Sequence, residues 1–96
     1  MAQFTILFSE GTRGDLNNLR AYDRRIIVSA IEAQLTHGAN VETTKRKLLR
    51  YLVPPFEAVA PIWQLRIGVF RVFYDVDEEA QRVYVRAVRR KPRHLN

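Results

Sequence analysis

The stretch from Trp63 to Val76, WQLRIGVFRVFYDV, constrains this chain more than any other. It is rich in aromatic and β-branched residues, which suit a pleated, half-buried surface. Gly68-Val69 lies between two strand-like runs, and a two-residue loop with glycine first fits a type II′ hairpin turn. That turn sets a register in which Ile67 faces Phe70, Arg66 faces Arg71, Leu65 faces Val72, Gln64 faces Phe73 and Trp63 faces Tyr74. Side chains alternate along a strand. One face therefore collects Trp63, Leu65, Ile67, Phe70, Val72 and Tyr74, and the other Gln64, Arg66, Arg71, Phe73 and Asp75. A slip of one residue would turn arginines into the core, so the register is strongly specified. It also sets two guanidinium groups face to face, an arrangement that costs a few tenths to about 1 kcal/mol. Either the pair marks an anion site on the open face, or Asp75 or another carboxylate neutralises it.

The rest of the chain supplies partners for this hairpin. Residues 3–8 alternate, with Phe4, Ile6 and Phe8 on one face, and predict a first strand. Thr12-Arg13-Gly14-Asp15 has the form of a weak capping box, and Leu16 and Leu19 follow at helical spacing. A longer helix is expected from about Asp23, with Ile27, Ala30, Ile31 and Leu35 on its apolar stripe and His37-Gly38 at its end. Residues 39–61 predict a turn or short extended piece and then a surface loop, because Pro54, Pro55 and Pro61 exclude a helix. Arg82 to Val88 predicts a last strand, joined to the hairpin through a turn at Asp77-Glu78-Glu79. Val83, Val85 and Ala87 are expected on the apolar face. Arg82, Tyr84 and Arg86 then share the side of Arg66 and Arg71, and Arg89, Arg90, Lys91, Arg93 and His94 leave as a basic tail. The order strand, helix, helix, strand, strand, strand predicts an α+β fold, a helical hairpin on one face of a mostly antiparallel four-stranded sheet.

Composition limits the functions open to such a fold. Ninety-six residues, 47% hydrophobic and 27% charged, make one globular domain spanning 1–96. The absence of cysteine excludes disulfides, thiolate metal sites and a cysteine nucleophile. Two histidines without a carboxylate cluster give no metal site, and no cofactor is expected. The apolar runs are too short for a membrane span and the first residues lack a leader pattern, so a cytoplasmic protein is expected. Sixteen basic against ten acidic residues give a net charge of +6 and a pI near 10.3. Thirteen of the sixteen are arginine, the residue better suited to bidentate phosphate contacts. Five basic residues and no acid fall between Arg86 and Arg93. This balance points to a polyanion, with Phe73 and Tyr84 as faces on which bases can stack.

The hairpin, with its aromatic, arginine, glycine turn and following aromatic-arginine-hydrophobic run before Tyr74, resembles the signature of RelE/ParE-type toxins of bacterial toxin–antitoxin pairs. The resemblance covers essentially the whole chain. It implies a sheet, loop and C-terminal segment that, in RelE-like members, cut messenger RNA on the ribosome, and a cognate acidic antitoxin that neutralises the toxin. ParE-like members share the fold and act on DNA gyrase. The resemblance implies catalytic roles for Arg71, which matches the family's sheet arginine at the scissile phosphate, for Arg66 in the preceding strand, and for Lys91 after the last one. His94 is a candidate proton carrier, since imidazole titrates near pH 6.5. Lys45, Lys47, Arg86, Arg89, Arg90, Tyr84 and Phe73 are the expected RNA contacts. Two departures stand out: Gln64 occupies a place where RelE has another lysine, and no tyrosine follows Lys91 up to Asn96. A gyrase inhibitor or a binding protein without nuclease chemistry is the alternative.

Overall fold

The computed structural model describes residues 3–91. Its elements are β1 (Thr5–Phe8), α1 (Glu10–Asn17), α2 (Ala21–Leu35), β2 (Arg46–Leu49), β3 (Ile62–Ile67), β4 (Phe70–Asp77) and β5 (Arg82–Arg90). They form one five-stranded sheet in the order β1-β5-β4-β3-β2, with β1 parallel to β5 and every other pair antiparallel. The α+β class and the mostly antiparallel sheet agree with the sequence.

The hairpin has the expected register, from Trp63 opposite Tyr74 to Ile67 opposite Phe70. Gly68 turns it with φ +56°, the left-handed region that a first-position glycine of a II′ turn supplies. The inner face is a closed apolar layer. Leu65, Val72, Tyr74, Val83 and Val85 are fully buried against Ile27, Ile31 and Leu35, the i, i+4, i+8 stripe of α2. Tyr74 stacks on Trp63, with ring centres 6.1 Å apart, and its hydroxyl donates to the Ala39 carbonyl at 2.7 Å. Burial pushes the Tyr74 phenol well above the ordinary tyrosine value, an effect only partly offset by the Arg46 charge.

Three expectations need correction. The sheet has five strands rather than four. Arg46–Leu49 pairs with β3 as a short edge strand where the sequence shows only a turn or extended piece, because four residues carry too little alternation to reveal it. Neighbouring residues close its outer edge. The Thr43 N–H donates to the Arg46 carbonyl at 2.9 Å, and the Leu48 N–H to the Glu42 carboxylate at 3.1 Å. Second, α1 is capped by Ser9 rather than by a box at Thr12: the Ser9 hydroxyl accepts the Thr12 N–H at 3.1 Å. The buried Thr12 hydroxyl instead donates to Val85 O at 2.7 Å, so α1 lies along the part of β5 that β1 is too short to cover. Third, the pairing of β4 with β5 shifts between Phe73 and Tyr74: Phe73 faces Ala87 and Tyr74 faces Val85, leaving Arg86 as an extra residue. After this bulge the parity of β5 reverses. Val88, not Ala87, joins the inner core, and Arg89 turns to the outer face instead of leaving with a tail.

Candidate nucleic-acid interface on the outer sheet face

The bulge builds the site. With β5 shifted by one residue, Arg89 stands opposite Arg71, and Arg71 stands opposite Arg66. Three arginines from three adjacent strands thus share one rung. Lys45, whose carbonyl accepts the Arg66 N–H at 2.8 Å, extends the rung beyond β3. Asp75 does not neutralise it. Its carboxylate is only 6% exposed and is bound by Arg86 at 2.6 Å and by the Val59 N–H at 3.0 Å. The Arg71 guanidinium donates to the carbonyls of Gly68 and Phe70 at 2.8 and 2.9 Å, which folds it onto its own hairpin turn. Neither Arg66 nor Arg71 forms an ion pair among the described residues. Arg89 is paired, with Asp15 of α1, and the same carboxylate accepts the Val88 N–H at 2.9 Å.

A wall rises beside the rung. The segment 50–61 folds back over the outer face, pinned by the bond from Val59 to Asp75 and by Phe56, whose ring centre lies 5.5 Å from that of Phe73. Arg89 in turn lies over the Phe56 ring, 5.7 Å from its centre. Between this segment and the strands runs a groove of about 440 Å³, with Leu52, Pro55 and Phe56 on one side and Gln64, Arg71, Phe73, Arg89 and Lys91 on the other. Lys91 is held at the groove by its N–H, which donates to Val69 O at 2.7 Å. The lining combines ring faces with cations, a chemistry that suits stacked bases joined by phosphates.

The expected site residues divide into groups. Arg71, Arg89, Lys91 and Phe73 meet in the groove, with Arg66 next along the rung. Lys45 and Lys47 are exposed on the same face, Lys47 opposite Gln64. Tyr84 and Arg86 share that face but sit at its other end, around Asp75, with Arg86 over the Tyr84 ring at 5.0 Å. Arg90 borders the groove but lays its guanidinium over Phe70, 4.8 Å from the ring centre. His94 lies outside the described residues. Phe56 and Asp15 are not among the expected site residues. A phenylalanine directly after two prolines is the trace that points to the first; nothing local points to the second. Among the described residues no three histidine, aspartate or glutamate side chains gather as a metal-binding group. No helix there is long and apolar enough to cross a membrane.

No protein-family model and no curated protein matches this chain. Solved structures do. A chain of the toxin–antitoxin complex RelBE2 from Mycobacterium tuberculosis superposes with a TM-score of 0.76 at 23% identity, covering 95% of this chain and 94% of that one. A chain of the archaeal RelE–RelB complex from Pyrococcus horikoshii gives 0.72 at 14% identity, covering 95% and 98%. The isolated RelE toxin of Escherichia coli gives 0.70 at 18% identity, covering 98% and 89%. The fold is that of the RelE toxins, over nearly the full length of both partners in each comparison.

Proposed function

We propose that this chain is the toxin of a toxin–antitoxin pair and cuts messenger RNA on the ribosome. The observation that carries this reading is the rung of Arg66, Arg71 and Arg89 beside an aromatic groove, on a fold shared with RelE toxins. In the reaction the 2′-oxygen of one nucleotide attacks the adjacent phosphorus and the bond to the 5′-oxygen breaks. The products are a 2′,3′-cyclic phosphate and a 5′-hydroxyl. Charge builds on the non-bridging oxygens in the transition state, and fixed cations stabilise it there. Arg71 and Arg66 hold the scissile phosphate, and Arg89 meets it from β5. Lys91, at the groove's end, stands by the leaving oxygen. Lys45, Lys47 and Arg90 take flanking phosphates, and Phe73 supports a base. Tyr84, with Arg86 held beside it by Asp75, serves the far end of the strand of RNA.

An acidic antitoxin segment that folds on binding would cover this same face, its carboxylates meeting the unpaired arginines. Two of the structural neighbours come from toxin–antitoxin complexes, which supports a partner of this kind. The pair would act in the cytoplasm, where ribosomes are.

One observation favours a second reading. The described groove lining holds no carboxylate, imidazole or phenol to accept the 2′ proton. Without an acceptor the chain binds RNA, or inhibits gyrase as ParE-like toxins do, without cutting. Inducing the chain in bacteria and mapping messenger 5′ ends separates these readings. New ends inside translated codons, lost with Arg71→Ala, are the expected result. Growth arrest with intact messengers, or cleavage that survives Arg71→Ala, contradicts the nuclease reading.

A further inference from the structure

Gln64 is the one groove-lining side chain, among the described residues, that carries both hydrogen-bond donors and an acceptor. Arg71, Arg89 and Lys91 only donate, and Phe56 and Phe73 offer rings. No buried side-chain nitrogen or oxygen is left without a partner among the described residues, and the half-buried Gln64 amide remains open to the groove. Its position is set by register. Gln64 stands directly across from Phe73, which places the two Cβ atoms about 5 Å apart. On the other flank of Phe73 stands Ala87, too small to fill the space beside the ring. A flat ring resting against the Phe56–Phe73 pair therefore brings its edge to Gln64.

We propose that Gln64 reads the base held in this groove and that the base is adenine. The inference rests on the reading of the groove as an RNA site and adds its specificity. Both polar edges of adenine set the N6 amino group beside a ring nitrogen, N1 or N7. A carboxamide matches either edge, its oxygen accepting from N6 and its nitrogen donating to the ring nitrogen. The Hoogsteen edge of guanine offers only the acceptors N7 and O6, which suits the fork of an arginine, and only its Watson–Crick edge, O6 beside N1–H, takes a carboxamide, so adenine is favoured by matching on both edges rather than one. A pyrimidine offers Gln64 only one edge and covers less of the aromatic pair. A lysine at this position, by contrast, would add one more cation to the groove and no acceptor.

The test uses the purified chain and labelled 2′-O-methyl RNA hexamers, UUNUUU, with each of the four bases at N. The methyl group blocks the attacking oxygen, so binding is measured whether or not the chain is a nuclease. Fluorescence anisotropy should show the adenine hexamer bound roughly 5- to 100-fold more tightly than the uracil one, the range of one bidentate base contact. Gln64→Met, of similar volume, should bring that ratio close to one. Gln64→Arg should move the preference to guanine, which also shows that the altered site still folds. Equal affinity for all four hexamers, no binding of any, a preference for any base other than adenine, or an adenine preference that survives Gln64→Met would each overturn the assignment. An adenine preference in a chain that leaves messengers intact in bacteria would sink the nuclease reading and leave this one standing.

Discussion

The inner face of the sheet buries Leu65, Val72, Tyr74, Val83 and Val85 completely, while the outer face sets Lys45, Arg66, Arg71 and Arg89 side by side on one rung. The same three strands, β3, β4 and β5, make both, with Lys45 just before β2 extending the outer one. Inside, every large side chain is apolar or, like the Tyr74 hydroxyl, has its hydrogen bond made. Outside, like charges meet across strands at a cost of up to about 1 kcal/mol per pair. The inner face supplies the stability that allows the outer face to be arranged for something other than folding. Within the outer face the same contrast recurs at smaller scale. Arg86 is held by Asp75, where it fastens the far end of the face, whereas Arg66 and Arg71 form no ion pair among the described residues.

Leu65→Ala should break the inner face most severely. It removes a fully buried side chain at the centre of the core and should lower unfolding free energy by about 4 kcal/mol in a urea titration. Asp75→Ala should come next. It strands Arg86, whose side chain is 16% exposed, and takes the acceptor from the Val59 N–H. A loss of about 3 kcal/mol is expected from breaking a largely buried pair. Proteolysis within 50–61 should quicken, since that bond pins the segment. Tyr74→Phe should cost about 1 to 2 kcal/mol at neutral pH, because the Ala39 carbonyl loses its buried donor.

The same variant has a signature in alkali. The phenol of Tyr74 titrates higher in the folded chain than in the unfolded one, so above about pH 10 the folded chain binds the extra proton. Its contribution is therefore complete below the unfolded value and is lost as pH rises through the folded one. Wild-type stability should fall with a steeper slope above pH 10 than that of Tyr74→Phe, with no difference in slope between them at pH 6–8.

How far the sequence foretold this molecule depended on how local each signal was. The hairpin was fully legible, because a two-residue turn ties Trp63 through Tyr74 into one register with one consistent sorting of side chains. The facing arginines followed from it, and the apolar stripe of α2 was legible from its own helical spacing. The place of Arg89 did not. It depends on a bulge at Arg86 that no pattern in Arg82–Arg90 reveals, since Ala87 and Val88 are both apolar and either parity looks acceptable. What fixes the bulge lies 73 residues away in sequence: Thr12 bonds to Val85, and Asp15 to Val88. Strand β2 escaped for a related reason, since its four residues become a strand only against β3. The groove's outer wall required Phe56 to reach Phe73 across a loop, a contact that composition cannot show. The candidate site was therefore half visible, with its cations on the hairpin in view and its aromatic wall and third arginine hidden.

The claim that the outer rung exists for an anion, and not for the fold, is tested most directly by measuring two properties of Arg71→Ala in parallel: unfolding free energy in urea and messenger cleavage on induction. Relief of repulsion from Arg66 and Arg89 and loss of the bonds to Gly68 and Phe70 nearly cancel, so stability should stay within about 1 kcal/mol of wild type while cleavage disappears. A variant that loses about 3 kcal/mol or more, or that folds well and still cuts messengers at the same sites, would contradict the account.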